Sequence, residues 1–323
     1  MISKLKERTK EVEEVIHELI GEERVPELKK PMEHLIKAGG KRIRPALCVL
    51  ACEAVGGKKK DAVHPAAAIE LIHNFSLVHD DIMDNDDLRR GMPTTHKVYG
   101  IAFAINGGDG LFAKAFQGIA RAKLPPEKKE KVLNLFADAI FDVIEGQAMD
   151  MAFEKKEKVT TKDYLEMITR KTGRLIENAV EIGGVCGGAT KEQEQALHKY
   201  GFAIGRAFQI QDDVMGIAGD PSKTGKAAGN DIREGKKTII VLHALEHAKD
   251  ATPLKKALGN KEATKEEIIK AVKFLEDTGS IQHAKDYAMQ LSKDAKEAIS
   301  ILPDNEAKGI LMDLADFTST RSC

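Results

Sequence analysis

The sequence predicts an all-α fold, in which one large helical bundle surrounds a central cleft. Apolar residues recur at helical spacing among charged ones, beginning with residues 2–20. Glycine pairs and prolines, such as Gly39-Gly40, Gly56-Gly57, Pro26 and Pro31, mark where one helical stretch ends and the next begins. We predict one helix over residues 163–183 and interpret the glycines within residues 106–110 as positions of tight packing. No linker is evident within the 323 residues, and a hydrophobic content of 42% is sufficient for a substantial core. We therefore expect a single domain.

Composition argues against several classes of function. The chain carries 50 basic and 51 acidic residues, so no overall basic charge points to nucleic acid. No stretch approaches the roughly 18 consecutive apolar residues of a membrane span, and the N-terminal segment is too charged for a signal peptide. Cys48 and Cys52 lie four residues apart on a predicted helix, which is typical of small core residues in a reducing compartment. The sequence predicts a soluble, cytoplasmic protein.

A cluster of aspartates, Asp80-Asp81-Ile82-Met83-Asp84, lies near the end of a helix predicted over residues 62–87. At about 100° per residue, Asp80 and Asp84 lie only about 40° apart on the helix, and His73 falls near the same line. Like charges at this spacing repel, so the pair requires a counter-ion. Mg²⁺ that keeps waters and binds substrate phosphates suits such hard oxygen ligands. The alternative is a solvated surface cluster.

A second aspartate pair, Asp212-Asp213, follows Gln209 within another apolar helical pattern and leads to Val214-Met215-Gly216. If the two helices face each other, they form a cleft lined by carboxylates. The sequence therefore predicts Mg²⁺ as the cofactor, with Asp80, Asp84 and Asp212 as its ligands.

Taken together, these motifs resemble those of the trans-isoprenyl diphosphate synthases, and more narrowly the archaeal type of geranylgeranyl and farnesyl diphosphate synthase. The family motif DDxxD matches residues 80–84, and the basic motif GGKRxRP matches residues 39–45 without a gap. The remaining matches run in the family's order along the chain: Arg89-Arg90, Gly146-Gln147 with Asp150, Lys171-Thr172, Gln209 before the second pair, Gly225-Lys226, Asp231-Ile232 and Gly235-Lys236.

The resemblance implies a magnesium-dependent prenyltransferase, active as a homodimer, with residues 1–323 forming one synthase domain. Its substrates are isopentenyl diphosphate and the allylic dimethylallyl, geranyl and farnesyl diphosphates. It implies a catalytic set of Asp80, Asp84, Arg89, Lys171 and Asp212. It also implies substrate-binding residues, of which the first four serve isopentenyl diphosphate: Lys41, Arg44, His73, Arg90, Arg89, Lys171, Thr172, Gln209, Lys226 and Lys236.

Elementary chemistry supports an anion site around the basic motif. Pro45 suits the first turn of a helix, so Lys41 and Arg44 lie beside backbone N–H groups at a helix N-terminus. Arg89 and Arg90, in a loop that follows the first aspartates, can bind phosphate bidentately. A solvated basic loop is the alternative interpretation. The segment over residues 219–237 is rich in glycine and lysine, and we interpret it as a flap that closes Lys226 and Lys236 over diphosphate.

Product length is predicted from Phe75 and Ser76. Phe75 lies five residues before Asp80, about 7.5 Å along the helix axis, whereas Ser76 is small. A growing tail that passes Ser76 would stop against Phe75, as in the archaeal geranylgeranyl synthases that the pattern resembles. We predict a C20 product, with C15 as the shorter alternative. Simple packing of Phe75 in the core is the other interpretation.

Two other classes of protein remain open at this point. A terpene cyclase shares the fold and the metal chemistry but has no need of a second diphosphate site, which Lys41, Arg44 and Arg90 indicate. A non-catalytic partner subunit of a heteromeric prenyl synthase should have lost its aspartates. Gly216, where the second motif usually ends in aspartate, is the departure that favours this alternative.

Overall fold

The computed structural model describes residues 1–21, 25–156, 158–219 and 229–320. Helices dominate the described residues, which confirms the all-α class predicted from the sequence. Residue contacts divide the chain into two compact units, and each is described separately below. The helices are α1 Ile2–Gly21, α2 Pro26–Lys37, α3 Ile43–Ala54, α4 Lys59–Met83, α5 Thr95–Tyr99, α6 Ile101–Arg121, α7 Pro126–Lys155, α8 Thr161–Ile168, α9 Arg174–Gly187, α10 Lys191–Ala218, α11 Asn230–Glu234, α12 Ile239–His247, α13 Thr252–Ala257, α14 Lys265–Asp277, α15 Ser280–Ala298 and α16 Glu306–Thr320.

The first unit comprises residues 1–140, 175–198 and 299–311. Helix α4 is its centre and packs against α1, α3 and α6. Helix α9 approaches α3 closely at a glycine, because a Cβ built at Gly183 would overlap the carbonyl oxygen of Cys48. Cys48 and Cys52 are buried free thiols, as the sequence predicted.

Helix α2 corrects one local prediction. We expected Pro31 to break the chain into a shorter helix, but α2 runs from Pro26 through Pro31 to Lys37. Pro31 is buried and packs on Gly107 of α6, where an added Cβ would lie 2.7 Å from the proline Cβ. The tight packing that we predicted for the glycines of α6 is confirmed at this contact.

The aspartate helix is also shorter at its C-terminus than predicted. Helix α4 spans Lys59–Met83 rather than residues 62–87, and Asp84 is its C-cap. Asn85 adopts a left-handed φ of 53°, which turns the chain away from the helix axis. Two short antiparallel strands follow, β1 Leu88–Arg89 and β2 Met92–Pro93.

The second unit comprises residues 141–174, 199–298 and 312–323. In place of the single helix predicted over residues 163–183, α8 ends at Ile168, the π-helical turn Thr169–Gly173 follows, and α9 begins at Arg174. A Cβ at Gly205 of α10 would lie 2.6 Å from Cα of Gly173, so the π-helical turn is packed closely against α10. Within the described ranges, no helix combines the length and the apolar composition that a membrane span requires.

Candidate active site

The carboxylates of the first aspartate motif lie in different environments. Asp81 is fully buried, and its Oδ1 lies 2.5 Å from Nη2 and 2.7 Å from Nε of Arg89. Burial raises the pKa of Asp81, while the Arg89 guanidinium opposes that rise. Asp80 is half-buried, and Asp84 is exposed at the end of α4. Asp81 therefore anchors Arg89, whereas Asp80 and Asp84 lie on the solvent side of the helix end.

The two arginines that follow this motif lie on a hairpin rather than in the irregular loop that we predicted. Arg90 and Gly91 have φ angles of 54° and 76°, which is the pattern of a type I′ turn between β1 and β2. Arg90 donates hydrogen bonds from Nη1 to the carbonyl oxygens of Leu35, at 3.2 Å, and of Gly39. The turn therefore brings Arg90 onto the glycine pair of the basic motif.

The basic motif contains one structural arginine and residues that are suited to an anion. Arg42 is buried and forms ion pairs with Glu13 and with the buried Glu70, at 2.7 Å for the latter. Arg44 is half-buried, and its Nη1 lies 3.3 Å from Nε2 of His73. Lys41, three residues before Arg44, is exposed.

His73 lies close to several arginine side chains. Burial, followed by the guanidinium groups of Arg44, Arg90, Arg42 and Arg89, lowers the pKa of His73 well below its ordinary value of 6.5. The imidazole is therefore neutral at physiological pH. Guanidinium groups near this neutral ring are suited to the binding of an anion such as diphosphate.

The two carboxylates of the second aspartate pair also differ in burial. Asp213 is buried, accepts a hydrogen bond from the Tyr164 hydroxyl, and accepts another from Nε2 of Gln209 at 2.9 Å. Burial raises the pKa of Asp213 to about 7. Asp212 is half-buried. In this pair, as in the first, the second carboxylate is held by the protein and the first is the more accessible.

The predicted diphosphate ligands of the second unit are held by a polar network. The π-helical turn presents Lys171, whose Nζ lies 2.5 Å from Oδ2 of Asp150, and Thr172, which donates to Gln209 at 2.8 Å. A Cβ at Gly146 would lie 2.6 Å from Cα of Lys171, which explains why glycine stands there. Lys226 lies outside the described residues, as does Asp220, the acid four residues after Gly216.

Gly216 packs directly on another acid. A Cβ at this position would overlap the Asp231 carboxylate, and Asp231 is buried. Lys236 lies 3.2 Å from Oδ1 of Asp231 and 2.8 Å from Oε2 of Glu234. Burial tends to lower the pKa of Lys236, but the two carboxylates raise it overall. The space that a side chain at position 216 would need is thus already occupied by Asp231.

A row of aromatic rings surrounds the predicted chain-length residue. The centroid of the Phe75 ring lies 5.2 Å from that of Phe112, which in turn is 5.1 Å from Phe116. Phe116 contacts Phe136 with a centroid distance of 5.5 Å. The Ser76 hydroxyl donates to the carbonyl oxygen of His73 at 2.9 Å. Phe75 is half-buried. Its ring and the neighbouring rings provide apolar surface about 7.5 Å from Asp80 along the helix axis.

Sequence reasoning missed two residues that organise these sites. Tyr164 counts only as an apolar position in a helical pattern, yet its hydroxyl donates a hydrogen bond to the carboxylate of Asp213, 49 residues further along the chain. Asp231 was noted as part of a motif, but its contact with Gly216 has no sequence signal.

Comparisons with known proteins test the family that the sequence predicts. The family model described as Polyprenyl synthetase matches residues 25–275. The chain is 40% identical over 321 residues to a protein of Methanosarcina mazei named geranylgeranyl diphosphate synthase, with 99% of this chain and 98% of that protein covered. The crystal structure of geranylgeranyl pyrophosphate synthetase from Pyrococcus horikoshii has a TM-score of 0.95 at 45% identity, over 99% of this chain and 98% of that one.

A second similar structure is described with bound ligands. The geranylgeranyl pyrophosphate synthase of Corynebacterium glutamicum, described as complexed with isoprenyl diphosphate and magnesium, has a TM-score of 0.87 at 26% identity, over 98% of this chain and 99% of that one. These matches show that the chain belongs to the polyprenyl synthetase family. The family predicted from the sequence is therefore confirmed, and prenyl transfer is confirmed with it as the class of activity.

Proposed function

We propose that this chain condenses isopentenyl diphosphate with dimethylallyl, geranyl and farnesyl diphosphates in turn, and releases geranylgeranyl diphosphate. The observation that carries the proposal is that burial differs in the same way within the two aspartate motifs. Asp81 and Asp213 are buried, whereas Asp80 and Asp212 are half-buried and Asp84 is exposed. Accessible aspartates beside buried, anchored ones suit the binding of an external cation and substrate.

The donor set fits Mg²⁺. Carboxylate oxygens presented singly or in pairs leave room for water and for phosphate oxygens, which is the coordination that Mg²⁺ prefers. Asp80, Asp84 and Asp212 would hold it. When bound, Mg²⁺ supplies positive charge that makes diphosphate a competent leaving group. The magnesium named in the description of the Corynebacterium structure supports this choice.

The chain's own cations bind the two diphosphates. Arg89 is oriented by Asp81, and Lys171 by Asp150, so both present positive charge in fixed positions for the allylic diphosphate. Thr172, Gln209, Lys226 and Lys236 complete this set. Arg44, Arg90, Lys41 and neutral His73 bind isopentenyl diphosphate, since guanidinium groups near His73 are suited to an anion.

The reaction then proceeds without a side-chain general base. The allylic C–O bond breaks and its electron pair leaves with diphosphate, which Arg89 and Lys171 stabilise. The double bond of isopentenyl diphosphate attacks the allylic carbon, so that a new C–C bond forms. The released diphosphate removes a proton and restores the double bond. Apolar surface around Phe75 receives the growing tail and excludes water from the cation.

The homodimer that we propose is supported by exposed apolar side chains. On α6, Ile101 is 58% exposed and Phe103 is 46% exposed, and on the second half of α7 Phe141 is 63% exposed. Such residues favour burial in an interface. We also propose a cytoplasmic enzyme, because Cys48, Cys52 and Cys186 are free thiols. Sedimentation of the purified protein tests the assembly: a dimer is expected, and a monomer at micromolar concentration would contradict it.

A single assay tests the proposed function. Purified protein is incubated with Mg²⁺, labelled isopentenyl diphosphate and each allylic primer in turn, and the products are sized after phosphatase treatment. We expect C20 as the main product from all three primers. Cyclised hydrocarbons would instead indicate a terpene cyclase, and turnover only after addition of a second subunit would indicate a non-catalytic partner.

A further inference from the structure

A second set of metal-binding side chains lies on α9 and α10, and the proposed reaction does not use it. Glu177 and Glu181 stand four residues apart on one face of α9, and His198 lies on α10. Oε1 of each glutamate lies 2.9 Å from Nδ1 of His198. One donor atom from each of the three residues can be chosen so that all lie within 4.8 Å of one another.

The three side chains converge on one point. The His198 ring nitrogen carries a single hydrogen at most, yet oxygens of two carboxylates lie 2.9 Å from it. Glu177 is only 3% exposed and Glu181 is 14% exposed, so the three groups meet largely away from solvent. A dication at the meeting point can take one donor atom from each side chain.

The type and spacing of the donors favour an ion of the zinc class over Mg²⁺. An imidazole nitrogen with two carboxylate oxygens is a common donor set for Zn²⁺, whereas Mg²⁺ selects oxygen ligands. Tetrahedral coordination at the usual Zn–N and Zn–O lengths places neighbouring donor atoms about 3.4 Å apart. The observed 2.9 Å separations therefore need to open by only about 0.5 Å.

The site has one open side. His198 is 54% exposed, while Glu181 is 14% exposed and Glu177 is buried. An ion held between them would keep contact with solvent, and water could supply the fourth ligand. We infer that Glu177, Glu181 and His198 bind a divalent ion of the zinc class, which fastens α9 to α10 independently of the magnesium at the aspartate motifs.

Cobalt binding tests this site, because Co²⁺ reports nitrogen and oxygen coordination through its visible absorption. The untagged protein is stripped with chelator and titrated with Co²⁺ in excess Mg²⁺, which keeps the aspartate motifs occupied. His198→Ala removes the nitrogen ligand, and His17→Ala removes an exposed histidine from α1 as the matched control. Circular dichroism and prenyl transfer in Mg²⁺ confirm that each variant is folded.

We expect the wild type and His17→Ala to bind one equivalent of Co²⁺ more than His198→Ala, with a visible absorption band that the latter lacks. Zn²⁺ should raise the melting temperature of the first two proteins only. Glu181→Gln, which preserves size, should weaken Co²⁺ binding about tenfold or more and serves as a second test if His198→Ala does not fold. Equal stoichiometry in the wild type and His198→Ala, or unchanged affinity in Glu181→Gln, would overturn the assignment.

Discussion

Alanine at Gly216 tests whether Asp231 occupies the place of the side chain that the second motif lacks. The added Cβ would overlap Oδ2 of Asp231 and lie 2.7 Å from its Cγ. Carbon atoms pack at about 3.5–4.0 Å, so the carboxylate must move by roughly 1 Å. Its Oδ1 now lies 3.2 Å from Nζ of Lys236, and such a shift takes it beyond hydrogen-bond distance.

The expected effect is a loss of stability. Overpacking of this kind costs about 1–3 kcal/mol, while replacing glycine by alanine within a helix contributes up to about 1 kcal/mol in the opposite direction. Gly309 of α16 supplies the matched control, because a Cβ there would meet no atom within 4 Å. The difference in unfolding free energy between Gly216→Ala and Gly309→Ala therefore isolates the overlap, at about 1–3 kcal/mol.

Urea denaturation of both variants measures this difference, and prenyl transfer in Mg²⁺ reports the site. Gly309→Ala should match or exceed the wild type in stability and retain its activity. Restoring the usual aspartate, as Gly216→Asp, should lower both stability and activity, because it places a second carboxylate against Asp231. If Gly216→Ala is as stable as Gly309→Ala, or if Gly216→Asp is more active than the wild type, the reasoning is refuted.

Three further perturbations follow from the described contacts. Phe75→Ala should lengthen the products beyond C20, because it removes the ring on which the growing tail ends. Tyr164→Phe should lower the free energy of unfolding by about 1–3 kcal/mol, since it leaves the buried Asp213 carboxyl without its hydroxyl donor. Burial and His283 lower the pKa of His243, so the unfolded chain takes up a proton first as the pH falls, and stability should decrease below about pH 6.5.

Each of these has its own control. Phe274→Ala on α14 removes a similarly half-buried ring from the second unit and should leave product length unchanged; C20 from both phenylalanine variants would remove Phe75 as the chain-length residue. Tyr99→Phe should cost much less than Tyr164→Phe in urea, and equal costs would contradict the role of that hydroxyl. His243→Gln should flatten the decrease in stability below pH 6.5, while His17→Gln should not, and an unchanged slope in His243→Gln would show that other groups cause it.

The sequence identified Asp80, Asp84 and Asp212 as candidate ligands, but it did not predict how their burial differs from that of the neighbouring aspartates. Helical periodicity places Asp80 and Asp84 on one face, whereas the burial of Asp81 depends on Arg89, which reaches back from the hairpin. Likewise, Asp213 is buried because Tyr164 approaches from another helix. Contacts between residues distant in the sequence leave no periodic signal.

Local backbone geometry is the second feature that the sequence did not predict. The pattern of residues 163–183 predicts one helix, but close packing between Gly173 and Gly205 accompanies a π-helical turn that a 3.6-residue period does not reveal. Arg90 and Gly91 form a type I′ turn even though arginine is unusual at positive φ. In contrast, the fold class and the family were predictable, because repeated apolar spacing and the motifs are encoded locally in the chain.

The most direct test of the account is the rate of product formation at saturating Mg²⁺ in Asp80→Asn and Asp212→Asn. Each substitution preserves side-chain size and removes one proposed ligand charge from a different motif. The account predicts that both variants fold normally and turn over at least about two orders of magnitude more slowly than the wild type. A rate within a few-fold of the wild type in either variant would contradict the claim that both motifs act on the allylic diphosphate through magnesium.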